Sequence, residues 1–137
     1  MSNVTSHEII GAVARAYGIG REHITDPSSM DEIGRTTAYT ERIRRQARIV
    51  CMYLMDRHKG MHRAAICDAL GMPKNTSTYG AIDLALAMAP GYRTYDAVIG
   101  KRIEHAERLI DAAHERRLSE QLDHAHRREI ERPGIAA

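Results

Sequence analysis

Neither phenylalanine nor tryptophan occurs in this chain of 137 residues, and only two cysteines and four prolines do. Without Phe and Trp, the core of the protein is an aliphatic one, built on Ile, Leu, Ala and Met. Cys51 and Cys67 stand in helical patterns without a CxxC spacing, which points to reduced core thiols, not to a disulfide or a metal site. No apolar run has the length needed to span a bilayer, and the first residues lack a basic region followed by an apolar one. A cytoplasmic protein is expected, with no membrane partner. There is no Walker-type glycine loop, no nucleophile elbow, no metal quartet, no internal repeat and no low-complexity segment. Nothing in the sequence supports catalysis, and no cofactor is implied.

Charge is nearly balanced overall, at +2, but not along the chain. Residues 41–63 hold seven basic groups (Arg42, Arg44, Arg45, Arg48, Arg57, Lys59, Arg63) against Glu41 and Asp56. The flanking stretches are neutral or slightly acidic. Clustered Arg and Lys are what phosphate binding requires, although such a run also makes an ordinary solvated helix face.

Directly after this basic stretch, residues 62–89 read HRAAICDAL-GMP-KNTSTYGAIDLALAMA. Two apolar-periodic segments flank Gly71-Met72-Pro73. Pro73 lacks an N–H and disfavours a helical Met72, so a first helix should stop near Leu70. A second should begin with Asn75 or Thr76 as its N-cap. Helix, glycine-containing turn and helix is the plan of a helix-turn-helix unit, whose second helix enters the major groove by its first turn. That turn offers Lys74, Asn75, Thr76, Ser77 and Tyr79, all able to bond to bases or phosphates. The plainer alternative is a helical hairpin whose polar first turn is only a cap.

Elsewhere the pattern is helical throughout. Ser6 to Tyr17 carries the stripe Ile9, Ile10, Val13, Ala14 and Tyr17, with Ser6 as the expected N-cap and Gly18 as the stop. GREHIT supplies one more turn with Ile24 inward. Residues 26–40 read as an ordered or semi-ordered loop, anchored in part by Met30 and Ile33, and not as a domain linker. Thr40 is expected to cap a long helix that buries Ile43, Ala47, Val50, Cys51, Leu54 and Met55, turns its arginines outward and ends at Gly60. His58 and His62 are expected to be a solvent-facing pair. Pro90-Gly91 is expected to break the chain before a helix with Tyr95, Val98, Ile99, Ile103, Ala106, Leu109 and Ile110 on its apolar face. Beyond Asp111 the sequence is charged and mixed, with Leu118, Leu122, Ala125 and Ile130 as a thin stripe. It suits a solvated helix, a short dimer seam or a partner-binding helix, and residues 133–137 should fray.

With these residues in view, the chain resembles the C-terminal DNA-binding domain of the bacterial replication initiator DnaA, a Trp-repressor-like helix-turn-helix. The resemblance covers roughly residues 6–110. It is most specific from Ala47 to Ala81, where ARIVCMYLMDRHKGMHRAAICDALGMPKNTSTYGA follows the family pattern without gaps. Met52-Tyr53-Leu54 matches the family's MYL, Ile66 and Leu70 its apolar positions, Gly71 its first glycine, Thr76-Ser77 its hydroxyl pair and Ala81 its alanine. The resemblance implies that Arg48 holds a phosphate beside the groove, that Thr76 contacts base edges and that Ser77 lies near base or backbone. Asn75 stands where the family has histidine, and an amide can read adenine in a bidentate way. The family's Arg-Asp-His is here Pro73-Lys74-Asn75, so an acid that helps read the initiator box is replaced by a base. Lys74 can reach guanine or a phosphate, but it cannot accept from cytosine. Arg35, Arg42 and Arg44 are the candidates for a minor-groove arginine.

The expected protein is therefore an all-α helix-turn-helix domain over residues 1–110 with a charged helical extension over 111–137. It is expected to be a stand-alone, sequence-selective binder of double-stranded DNA, of bacterial or phage type and associated with the nucleoid. Lys74, Asn75, Thr76, Ser77 and Tyr79 would face bases, and Arg42, Arg44, Arg45, Arg48, Lys59 and Arg63 phosphates or the minor groove. The alternative is a module that keeps the fold but binds a replication, division or other regulatory protein. A homodimer or protein partner through the helix over residues 101–131 fits either function.

Overall fold

A computed structural model describes residues 4–25 and 38–130, with side chains from residue 41 onward in the second stretch. The described residues form six helices and no strand: α1 (Ser6–Tyr17), α2 (Glu22–Thr25), α3 (Ala38–Lys59), α4 (Arg63–Leu70), α5 (Thr76–Tyr95) and α6 (Ala97–Ile130). The all-α class is as the periodicities predict. The expected loop anchors Met30 and Ile33, the candidate Arg35 and the C-terminal residues 133–137 lie outside the described residues.

Helix α3 is the centre. Its run from Val50 to Met55 is buried at every position, so α1, α2, α4 and α5 pack around it. Fully burying residues such as Leu54 and Met55 contributes about 1.5–3 kcal/mol each. The helix begins upstream of the expected cap: Ala38 and Tyr39 are already helical, which places Thr40 inside it. Gly60, at φ +57°, ends it.

The cap of α1 is Thr5, not Ser6. Glu8 stands three residues after Thr5 and completes a capping box, whereas Ile9 stands three after Ser6 and cannot. Thr5 Oγ1 accepts from the Glu8 N–H at 3.1 Å, and the Thr5 N–H donates to Glu8 Oε1 at 3.0 Å. The same carboxylate receives Arg117 of α6 at 2.7 Å. Burial pushes the Glu8 pKa up, but the Thr5 hydrogen bonds and the charges of Arg117 and His114 outweigh it and hold the pKa below its ordinary 4.5. A carboxyl whose pKa falls on folding stabilises the fold above its unfolded value, and that contribution is lost as pH drops through the folded value. Glu8→Gln is therefore expected to lower the melting temperature at pH 7, with the difference from the unsubstituted protein closing below pH ~3. A difference that persists unchanged in acid would contradict this.

Pro90 does not break the chain. Helix α5 runs through it to Tyr95, because Pro90 is exposed and costs only the hydrogen bond to Leu86, while Ala85 and Ala89 stay buried. The break comes at Asp96, whose Oδ1 accepts from the N–H groups of Val98 at 3.0 Å and Ile99 at 2.9 Å and so caps α6. This shift removes two residues from the expected apolar face. Tyr95 is 89% and Val98 63% exposed, and Ile99, Ile103, Ala106 and Ile110 form the buried stripe of α6. The backbone of Gly100 lies close to the Arg93 carbonyl, where α6 turns back over the end of α5.

Helix α6 has 34 residues and is continuous through Asp111. Its packing against α1 reaches Arg117, and Leu118, Leu122 and Ile130 beyond it are exposed. Between α3, α5 and α6 lies a charged cluster centred on Glu107, which takes Arg93 at 2.7 Å, His58 at 3.3 Å and Arg57 at 3.6 Å. His58 thus faces Glu107, not solvent, and only His62 of the expected pair is exposed. Cys51 and Cys67 are free and buried as expected, and burial pushes both thiols above their ordinary range. No helix among the described residues is long and apolar enough to cross a membrane.

Candidate nucleic-acid interface

Helices α4 and α5 form the predicted helix, turn and helix. Ile66, Cys67 and Leu70 seat α4 on the core, and Ile82, Ala85 and Ala89 seat α5. Gly71 ends α4 in the left-handed region at φ +65°, with its N–H donating to the Cys67 carbonyl. Met72 N–H also donates to Cys67 O, at 2.9 Å. Asn75 is the N-cap of α5: its Oδ1 accepts from the Thr78 N–H at 2.8 Å. Both helix ends fall where Gly71, Pro73 and Asn75 place them.

The first turn of α5 contains no acidic residue, and Lys74, Asn75, Thr76 and Ser77 are all exposed. Early N–H groups of a helix lack intrahelical acceptors and carry the positive end of its dipole, so this turn favours an anion. Lys74 Nζ lies 2.8 Å from Asp68 Oδ1, whose hydrogen bond and charge raise the lysine pKa. Tyr79 is half-buried against the core, and the Arg63 guanidinium stacks 5.2 Å from its ring centroid. Arg63 also bonds Asp83 at 2.9 Å. These ion pairs are exposed and weak, so a phosphate can displace the carboxylates.

Asn75 and Tyr79 are therefore partly engaged within the protein. A bidentate adenine contact needs both the oxygen and the nitrogen of an amide, and the Asn75 oxygen already caps α5. Among the described residues, Lys74, Thr76 and Ser77 have no such side-chain bond to the backbone.

The basic stretch divides sharply. Arg42 and Arg45 are exposed, and their spacing of three puts them on one side of α3. Arg44 is not on that surface: it is 3% exposed, and its Nε and Nη1 have no hydrogen-bond partner among the described residues. Arg48 is half-buried, with Nε donating to the Ile24 carbonyl at 2.9 Å, and burial draws its pKa below the ordinary guanidinium value. Lys59 donates to the Val4 carbonyl at 2.7 Å and ties the end of α3 to the start of α1. Arg44, Arg48 and Lys59, expected at phosphates, are thus turned into the protein: Arg44 is buried, and Arg48 and Lys59 bond backbone carbonyls. Long aliphatic stems let such residues run inward along an apolar helix, and which of them do so depends on the neighbouring helices.

Asp68 and Asp83, the partners of Lys74 and Arg63, were not among the predicted site residues. Asp83 lies 20 residues from Arg63 in sequence, too far for any local signal, whereas Asp68 falls on the last turn of the short α4. No family model, curated protein or solved structure matches the chain.

Proposed function

We propose that this protein binds double-stranded DNA, with the first turn of α5 in the major groove. The observation that carries the proposal is the exposed, acid-free turn Lys74-Asn75-Thr76-Ser77, presented by a glycine-capped α4 and an Asn-capped α5. The stretch that resembles the DnaA DNA-binding domain, Ala47 to Ala81, spans the second half of α3, all of α4, the turn and the start of α5. Lys74, Thr76 and Ser77 are the proposed base-facing groups, and Arg42, Arg45 and Arg63 the proposed phosphate contacts. Selectivity would come from the first set and most of the affinity from the second. The replacement of an acid by Lys74 implies a site different from the standard initiator box.

Asn75→Ser separates capping from base reading. Serine caps about as well as asparagine, so helix stability should hold, and because the Asn75 oxygen is committed to the cap the affinity for the preferred sequence should hold too. An amide contact to a base would instead show as a loss of about 1–3 kcal/mol on that sequence and little on random DNA. Anisotropy titrations of both duplexes make the comparison. Equal affinities for the preferred site before and after substitution would confine Asn75 to capping and leave base reading to Lys74, Thr76 and Ser77.

One observation favours a second function, that of a protein-interaction module. Ser77, Ala81, Leu84, Met88 and Tyr95 recur at spacings of three, four and seven, and all are exposed, Leu84 at 61% and Met88 at 44%. They make the solvent side of α5 uncharged along most of its length. DNA contact by the first turn leaves the residues from Leu84 onward open to such a partner, so the two functions can coexist on one helix.

A further inference from the structure

The groove between α1 and α6 has a volume of about 550 Å³, within the range of small-molecule sites. Its walls follow helical periodicity: Glu8, Gly11, Ala12 and Arg15 from one face of α1, and Ala113, Arg116, Arg117 and Glu120 from one face of α6. Small residues and arginines share its lining. Four arginines face two glutamates, and Glu8 is already neutralised by Arg117 at 2.7 Å. That leaves Arg15, Arg21 and Arg116 against Glu120. Arg15 and Arg116 make no ion pair among the described residues.

Arg21 is held in place before any ligand arrives. Its Nη1 donates to the His7 carbonyl at 2.8 Å and lies 2.9 Å from His7 Nδ1. Its guanidinium lies over Gly11, in space that a Cβ at that position would fill. Glycine is otherwise a poor choice in the middle of a helix, costing about 0.5–1 kcal/mol relative to alanine, and here it leaves room for a charged group. Among the described residues neither Nε nor Nη2 of Arg21 has a hydrogen-bond partner. A planar fork tied to His7, in a groove that Arg15 and Arg116 also line, matches the oxygens of a phosphate.

We propose that this groove binds a small phosphorylated anion, through Arg21, Arg15 and Arg116, at a site separate from α5. The three arginines suit a diphosphate better than a lone carboxylate, since one acid group would leave two of them uncompensated. Gly11 acts as a positioning residue that admits the Arg21 guanidinium.

Isothermal titration of the full chain with inorganic pyrophosphate at low salt tests the proposal. Binding is expected to saturate at one site. Arg21→Gln and Arg116→Gln should each weaken it about tenfold or more. Gly11→Ala should also weaken it by evicting Arg21, with circular dichroism confirming the fold. The two arginine variants are surface changes and carry the test even if Gly11→Ala is poorly folded. Arg108→Gln, an exposed charge outside the groove, should leave binding unchanged. Non-saturating binding, or equal weakening by Arg108→Gln, would overturn the proposal in favour of diffuse attraction. A parallel titration with duplex DNA separates the remaining source of phosphate. If Arg21→Gln and Arg116→Gln lower DNA affinity while pyrophosphate fails to bind, the groove is part of a DNA track and the proposal is wrong.

Discussion

Gly71→Ala is expected to destabilise the protein by about 2–5 kcal/mol, summing a left-handed penalty of about 1–2 and a steric one of about 1–3. Gly71 sits at φ +65°, and a Cβ there would meet the backbone carbonyl oxygen of Thr25 in α2. That oxygen belongs to the backbone and cannot swing aside like the tip of a side chain. Two internal controls isolate the steric part. Gly18 and Gly60 have φ of +66° and +57°, but nothing lies within 4 Å of a Cβ at either. Gly18→Ala and Gly60→Ala should therefore cost only the left-handed penalty, about 1–2 kcal/mol. Urea unfolding of the three variants makes the comparison. Equal losses at all three would mean that the approach of the α4–α5 turn to α2 is looser than the structure shows. The position matters for function as well, because this contact fixes the end of α4 and hence the direction in which α5 leaves it.

The second large effect separates cations that the sequence alone groups together. Arg42→Gln with Arg45→Gln is expected to leave stability nearly unchanged and to weaken binding to every duplex sequence alike. Each lost phosphate contact should flatten the slope of log K against log salt by about one. Arg48→Gln is expected to do the reverse. It removes a charged hydrogen bond to the Ile24 carbonyl, at a cost of about 1.5–3 kcal/mol of folding stability. The salt slope for DNA should not change while the protein stays folded. Thermal melts beside anisotropy titrations at several salt concentrations distinguish the two classes. A loss of salt slope in Arg48→Gln would return Arg48 to the phosphate role that the resemblance implies.

Much of the fold was legible because its signals are local. Gly18 and Gly71 stop helices by their own conformational freedom, Asn75 caps by its own side chain, and Ile66, Leu70 and Ile82 are buried at the predicted helical spacing. Thr5 was missed as a cap although Glu8 signals it three residues later. Pro90 misled because a missing N–H on an exposed helix face is a small defect that the packing of neighbouring residues outweighs. Asp96, the residue that does break the chain, was overlooked beside it.

The candidate site was legible in part, for a related reason. The polar turn from Lys74 to Ser77 was found because its residues act where they stand in the sequence. The fate of the arginines was not, since Arg42 and Arg44 look alike until α3 is packed against its neighbours. Arg63 with Asp83, and Glu107 with Arg93, join residues from different helices and leave no periodic trace. The same holds for the Arg21 guanidinium over Gly11.

The most direct test of the DNA-binding proposal is an anisotropy titration of the full chain with a randomised duplex pool, from low to physiological salt. With Arg42, Arg45 and Arg63 at phosphates, the slope of log K against log salt should be about −2.7, and sequencing of the retained pool should recover a preferred site. Absence of binding even at low salt would contradict the account and would leave the uncharged face of α5 as the working surface of the molecule.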